Sequence, residues 1–249
     1  METHANHLHK APGKNFWHFF FEFFMLFLAV FCGLLAENWR EQFVDRKHEK
    51  EYMKSMIEDL QSDTSVIQAQ VDLGTEENIR GDSILDLLNS ENPASHVFDI
   101  YRLNLSRLVL TQLEDRTSSQ LKNAGGMRLI RNDKVVEALR NYWNTTKALE
   151  KIETRMDEYA SKAQTIGSQI FNNKYYIYND KKIGFFAGIT IDPAAKFVNA
   201  DPKLLSQFSN TRYVNNLILK NYVLILKSDK EAAIELMEII RERYPGEEM

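Results

Sequence analysis

The feature that most constrains this chain is an apolar run near its amino terminus. Residues 16–36 are 21 residues with a single formal charge, Glu22. An α-helix rises 1.5 Å per residue, so a helix of this length spans about 30 Å, the thickness of a bilayer's hydrocarbon core. Trp17 and Trp39 bracket the run, and indole rings favour the membrane–water interface. The sequence therefore predicts a transmembrane helix at 16–36, preceded by a polar, disordered tail at 1–15.

The composition of this run favours a retained anchor over a cleaved signal. Eight of the 15 Phe residues lie between Phe16 and Phe31. A cleavable signal peptide has a shorter apolar region and a small-x-small exit, which Leu34-Leu35-Ala36 does not provide. A lipoprotein signal needs a small residue before its cysteine, and Phe31 precedes Cys32. We therefore expect a single-pass membrane protein with the lipid bilayer as one partner.

The rest of the chain, 37–249, is a polar body that carries the whole formal net charge of −4. This mild acidity argues against a nucleic-acid partner. A single cysteine excludes a disulfide framework and a multi-cysteine metal site. The sequence has no Gly-rich phosphate loop, no Gly-x-Ser-x-Gly and no His-Glu-x-x-His, and His7 and His9 fit a solvated tail. We expect no catalytic residues, no cofactor and no metal, so the protein is predicted not to be an enzyme.

From Trp39 onward the apolar residues follow a helical period. No Pro or Gly interrupts residues 34–73, which predicts one helix running from the span to about residue 89, ahead of Asn92-Pro93. One set of positions on this helix alternates spacings of four and three, as a heptad seam does. This seam is Trp39, Phe43, Arg46, Lys50, Met53, Ile57, Leu60, Thr64, Ile67, Val71 and Gly74. We interpret it as a candidate surface for a protein partner or a second copy of the chain.

Further helices complete the soluble domain. Asn132 and Asp133 are good N-caps for the clearest of them. The predicted helices are Val97–Leu113, a short one ending at Gly125-Gly126, 133–172 and Asn210–Arg243. The fold class is therefore predicted to be all-α, with the transmembrane helix continuous with an elongated antiparallel helical bundle.

Residues 173–200 break the helical pattern. The aromatic run Tyr175–Tyr178 and the segment Ile183–Phe186 flank Asn179-Asp180, which predicts a small β-hairpin near 175–187. Its side chains could line a ligand pocket or lid, or could cover the open end of the bundle as an apolar cap. The first alternative would make residues 171–190 a ligand-binding region.

Glu22 is the one candidate site residue. An ionisable group inside a bilayer is costly unless it is protonated, paired or near the interface. A functional interpretation is contact with a polar partner helix within the membrane, or a proton-linked role. The alternative is a neutral or snorkelling carboxyl near the headgroups.

Two stretches of the chain resemble a bacterial family of single-pass membrane proteins with a domain of unknown function. The anchor of that family carries a Glu near its start and ends in Asn-Trp, as Glu22, Asn38 and Trp39 do here. Its second motif is similar to Leu121-Lys122-Asn123-Ala124-Gly125, Leu129-Ile130-Arg131-Asn132 and Leu139-Arg140-Asn141-Tyr142-Trp143. The resemblance implies a membrane-anchored helical domain, and it implies that the amino terminus lies inside the cell.

These observations lead to a prediction of function and location. We expect a non-enzymatic interaction or scaffold protein in the bacterial inner membrane that binds a protein partner or forms a homo-oligomer. The resemblance places the body in the periplasm, whereas the basic residues that follow the span favour a cytoplasmic body. The alternative function is a periplasmic ligand-sensing bundle that signals through a partner protein.

Overall fold

The computed structural model describes residues 16–105, 112–123, 125–178 and 188–245. Within them five α-helices form, together with one short antiparallel hairpin, which confirms the predicted all-α class. The elements are α1 (Phe16–Leu88), α2 (Val97–Asn104), α3 (Arg116–Asn123), α4 (Asp133–Ile170), β1 (Tyr176–Tyr178), β2 (Ile189–Ile191) and α5 (Pro202–Arg243). Short 3-10 turns lie at Pro93–His96, Gly126–Leu129 and Asn173–Tyr175. The predicted tail at 1–15 lies outside the described residues.

The chain divides into two compact units, Met1–Lys50 and Glu51–Met249. In the first unit, α1 exposes apolar side chains on all sides of the helix, and its apolar part is long enough to cross a membrane. Two residues of the predicted seam, Trp39 and Phe43, are 72% and 73% exposed. The described part of this unit leaves both side chains largely uncovered.

The second unit is built around three long helices: residues 51–88 of α1, α4 and α5. Met53 and Leu60 near the start of this part of α1 share a cluster with Leu139 near the start of α4 and Ile240 near the end of α5. At the other end, Leu88 shares a cluster with Ile170 and with Phe208. Consequently α1 and α4 run in the same direction, and α5 runs antiparallel to both.

The middle of this bundle is held by a third apolar cluster and by a close approach of α1 to α5. Ile67 and Leu149 belong to the cluster, together with Tyr222. Gly74 of α1 faces α5 so closely that a Cβ there would lie 2.8 Å from Val223 Cγ2. One heptad further along α1, Gly81 lies against the side chain of Asn216 in the same way. The glycines let the two helices approach closely.

This packing changes the interpretation of the predicted seam. Met53, Ile57, Leu60 and Ile67 are at most 1% exposed, and Val71 is also buried. These residues therefore form the internal core of the bundle, and a partner protein cannot contact them in the folded state.

Helix ends follow local capping chemistry. Asn132 accepts hydrogen bonds from the backbone N–H of Lys134 at 3.0 Å and Val135 at 3.4 Å, as an N-cap should. The predicted start of the last helix at Asn210 was wrong, because α5 begins at Pro202. Asp201 caps this helix through the backbone N–H of Leu204 at 3.1 Å, and proline at the first helical position needs no hydrogen-bond partner.

The hairpin forms, but its second strand lies later than predicted. Tyr176 pairs with Ile191, and Tyr178 pairs with Ile189. Residues 179–187, which include the predicted strand Ile183–Phe186, lie outside the described residues. The three residues Ile189-Thr190-Ile191 are all β-branched, which suits a strand, and they form the strand that pairs with β1. Likewise α2 ends at Asn104, because Leu105 is extended, and residues 106–111 lie outside the description.

Candidate functional site

Glu22, the residue predicted from the sequence, lies on the exposed surface of the first unit. No hydrogen bond or ion pair to Glu22 occurs among the described residues. The second unit holds two polar sites that the sequence analysis did not predict. One is a groove around Arg212, and the other is a set of buried carboxylates that we call the acidic cluster: Asp59, Asp63 and Asp229.

The groove lies between α4 and α5 and has a volume of about 360 Å³. Asn104 at the end of α2 and Tyr176 of β1 also line it. Its wall is mixed: Met156, Ala163 and Leu219 are apolar, whereas Gln164, Asn173 and Asn215 carry amides. The groove thus combines apolar surface with a few polar groups, as small-molecule sites do.

Arg212 is the cationic residue of the groove. Its Nε is fully buried and has no hydrogen-bond partner. Among the described residues no carboxylate lies within 4.0 Å of its guanidinium. Burial lowers the pKa of Arg212, the charge of Glu77 raises it, and the charge of Arg80 lowers it. Arg212 as a whole is half-buried, and a guanidinium nitrogen withdrawn from water normally has an acceptor, so Nε is the unsatisfied atom of this side chain.

The second arginine of this region, Arg80, has a close anion, although its Nε, like that of Arg212, makes no hydrogen bond in the described structure. Its Nε lies 3.1 Å from Glu77 Oε1. Its Nη2 donates to the carbonyl oxygens of Arg102 at 3.1 Å and Leu105 at 2.8 Å, which ties α1 to the end of α2. Of the two arginines Arg80 and Arg212, it is therefore Arg212 whose charge lacks a close anion within the described structure.

Tyr176 adds a neutral hydrogen-bond donor to the groove. Its hydroxyl accepts from Asn104 Nδ2 at 3.4 Å. Burial is the main cause that raises the pKa of Tyr176, so the hydroxyl keeps its proton at neutral pH. That proton is available to an acceptor in the groove.

The segment that leads into the hairpin is fixed by Tyr101. The Tyr101 hydroxyl donates to the Lys196 carbonyl at 2.9 Å and accepts from the Asn172 backbone N–H at 2.7 Å. Its ring meets that of Phe171 edge-on, with centroids 4.9 Å apart. Tyr101 and Phe171 are buried in the apolar cluster at this end of the bundle. This position agrees with the alternative in which the segment covers the end of the bundle as an apolar cap. Phe171 and Tyr176 also line the groove, so this segment both covers the apolar cluster and forms part of the groove wall.

The acidic cluster holds the start of α3 against α1. Asp59 accepts from Arg116 Nη2 at 2.8 Å and from the Thr117 backbone N–H at 3.1 Å. Asp63 accepts from the Glu114 backbone N–H at 2.7 Å and from the Tyr142 hydroxyl at 2.6 Å. Burial raises the pKa of Asp63, while these two hydrogen bonds oppose the rise.

Asp229 is the least satisfied member of the acidic cluster. Its Oδ1 accepts from Thr145 Oγ1 at 2.5 Å and from Thr146 Oγ1 at 3.2 Å. Its Oδ2 is buried without a hydrogen-bond partner in the described structure. Burial raises the pKa of Asp229 to about 6, with a further contribution from the charge of Asp63.

Comparison with known proteins does not assign either site. No family model, no curated protein and no solved structure matches this chain. The family resemblance therefore stays a prediction. Within the described ranges, no group of three or more His, Cys, Asp or Glu residues could hold a metal ion. The function has to be inferred from the apolar helix and the groove themselves.

Both polar sites have a signal in the sequence. On α5, stepping back from Leu226 by alternating threes and fours reaches Val223, Leu219, Asn216, Arg212, Ser209 and Leu205. Stepping forward from Leu226 reaches Asp229, Ala233, Leu236 and Ile240. A charged residue on an otherwise apolar seam points to a buried polar site, so Arg212 and Asp229 could have been identified in this way.

Proposed function

We propose that the protein is a membrane-anchored helical interaction or scaffold protein without catalytic activity. The observation that carries this proposal is the apolar surface of α1 in the first unit. Apart from Leu28, its large apolar side chains between Phe16 and Leu35 are at least 40% exposed, and they cover every side of the helix. Water-exposed apolar patches of this extent are rare on soluble proteins, whereas a lipid bilayer covers such a surface on all sides.

The anchor proposal predicts the effect of placing two charges in the centre of the span. Leu26→Arg combined with Val30→Arg should move most of the protein out of the membrane pellet. Each arginine at mid-span costs about 2.5–3.5 kcal/mol by insertion scales, so the pair abolishes stable insertion. The measurement is the fraction of full-length protein that stays in the pellet after an alkaline carbonate wash.

Ser161→Arg with Thr165→Arg is the matched control, because it places the same pair of charges on an exposed face of α4. The control should stay in the pellet with the unaltered chain. If the unaltered chain is itself released by carbonate, or if the Leu26 and Val30 variant is retained like the control, the anchor proposal is wrong.

We place the protein in the bacterial inner membrane with its body in the periplasm. This placement rests on the resemblance of Glu22, Asn38 and Trp39 to the anchor motif of the family named above. The basic residues that follow the span support the opposite orientation. A periplasm-active reporter fused after Met249 distinguishes the two, and activity of a cytoplasmic reporter alone would reverse the orientation.

Glu22 is the proposed point of contact with a partner helix in the membrane. Glu22→Gln should keep most of the assembly, because an amide still forms hydrogen bonds across a helix interface. Glu22→Leu should lose it, while membrane insertion improves as the cost of the carboxyl disappears. Crosslinking in intact membranes measures both variants. Unchanged adducts in the leucine variant would make Glu22 a tolerated residue without a partner.

A second candidate function is ligand sensing by the body. The groove beside Tyr176 supports it, since the groove is of small-molecule size and contains a cation without a close anion. In this candidate function, the signal would pass to a partner protein.

A further inference from the structure

We propose that the groove between α4 and α5 binds a small molecule through a carboxylate group held by Arg212 and Tyr176. This inference rests on the second candidate function, ligand binding by the body, and it specifies the chemical class of the ligand. It does not depend on membrane insertion of α1.

The first argument is the state of the Arg212 side chain. A guanidinium withdrawn from water loses its hydration, and proteins recover that loss through a paired anion or several acceptors. Arg212 Nε has neither in the described structure, although it lies in the wall of an accessible groove. A carboxylate entering the groove would supply both a counter-charge and two parallel acceptors, the geometry that a guanidinium fits best.

The second argument concerns the charge of the ligand. Glu77 and Arg80 already form an ion pair at 3.1 Å, so the charge to be neutralised is that of Arg212 alone. Glu77 still acts on Arg212 electrostatically, and Asp157 lines the same groove. These carboxylates repel a doubly charged phosphate more strongly than a singly charged carboxylate, so they favour the carboxylate of the two anion classes.

The third argument is the size and polarity of the rest of the groove. Its volume of about 360 Å³ is near the lower end of ligand sites, which favours a small metabolite over a lipid or a peptide. Tyr176 can donate its hydroxyl proton to the second carboxylate oxygen. Met156 and Leu219 offer apolar contact to the remaining part of the ligand.

One variant distinguishes ligand binding by Arg212 from a purely structural role of this residue. Arg212→Met keeps a long side chain but removes the charge. If Arg212 only supports the fold, its loss should destabilise the protein. If it is kept for a ligand, methionine should be tolerated in the free protein, because a half-buried guanidinium with an unsatisfied Nε is replaced by an apolar group.

The experiment uses the full chain in detergent and follows its Tm by intrinsic fluorescence. The probes are sodium acetate, sodium succinate and sodium benzoate, each compared with sodium chloride of equal ionic strength. Acetamide, succinamide and benzamide serve as uncharged counterparts, and inorganic phosphate tests the other anion class. Arg241→Met is the matched control, because Arg241 is an exposed arginine of the same helix.

We expect at least one carboxylate to raise the Tm of the unaltered chain by about 5 °C at a concentration far above its Kd. Its amide should have no effect. Arg212→Met should abolish the shift while the Tm of the free protein stays within about 2 °C of the original or rises. Arg241→Met should keep the full shift.

Three results would overturn the proposal in distinguishable ways. A shift with phosphate or with an amide alone would keep ligand binding but remove the carboxylate. A carboxylate shift that persists in Arg212→Met would place the site elsewhere. Absence of any shift, together with a large loss of Tm in Arg212→Met, would make Arg212 structural and remove ligand binding in this groove as well.

Discussion

Asp63→Asn is expected to lower the Tm of the protein by about 5–10 °C, from a loss of about 2–3 kcal/mol in the free energy of unfolding. Asp63 is 1% exposed and accepts two hydrogen bonds, one from the Tyr142 hydroxyl and one from the Glu114 backbone N–H. These donors reach different carboxylate oxygens. An asparagine accepts through only one of those positions. Its amide N–H then faces either the Glu114 N–H, where both groups are donors, or the Tyr142 hydroxyl, which has to accept instead of donating to a carboxylate.

The measurement is thermal unfolding of the full chain in detergent at pH 7. Asp86→Asn is the control, because Asp86 is an exposed carboxylate on the same helix. Its Tm should change by less than about 1 °C, the usual range for a surface substitution. A loss in Asp63→Asn no larger than in this control would show that the contacts of Asp63 contribute nothing to the stability of the bundle.

Asp229→Asn is expected to have an effect that depends on pH. Burial raises the pKa of Asp229 to about 6 from its ordinary value of 3.8. Between those values the folded protein holds a proton that the unfolded chain has lost. Stability therefore falls as the pH rises from about 4 through 6, and this loss is complete by about pH 7.

Asparagine removes this loss because it does not ionise. Its Oδ1 can still accept from Thr145 and Thr146, which both donate to the same oxygen of Asp229. From pH 5 to pH 8 the free energy of unfolding of the unaltered protein should fall by about 1.4 kcal/mol relative to that of the variant, which corresponds to about 3–5 °C in Tm.

The test compares the Tm of the two proteins at pH 5 and at pH 8, in buffers of equal ionic strength. The difference between them should shift in favour of Asp229→Asn at the higher pH, whereas Asp86→Asn should follow the unaltered protein at both values. A difference that is the same at pH 5 and at pH 8 would show that Asp229 does not titrate in this range.

The sequence predicted the helical class because helix periodicity is local. The Asn132 cap, the uninterrupted run after Trp39 and the breaks at Pro93 and Gly125 depend on a few neighbouring residues. The same local information placed the start of α5 too late, at Asn210. The apolar stripe weakens before Val214, and the evidence for the earlier start lies in the Asp201-Pro202 cap.

The functional sites were harder to predict because they depend on which helices meet. Arg212 becomes notable only when its burial without a close anion is known, and that follows from the packing of α5 against α1 and α4. The partner of strand β1 depended in the same way on a distant segment, Ile189–Ile191. Arg212 and Asp229, the charged residues on the seam of α5, are the local sign of these sites.

The order of the helices along the chain also governs how the body is made. The contacts that complete its core join distant parts of the sequence: Asp82 accepts from Asn216, and Gln68 accepts from Lys230. On the ribosome, α1 therefore emerges with an apolar seam that α4 can cover only in part, and its cover stays incomplete until α5 has been synthesised. Folding of the body is accordingly a late, cooperative event dominated by non-local contacts, and shielding of the nascent seam of α1 becomes a requirement of biogenesis.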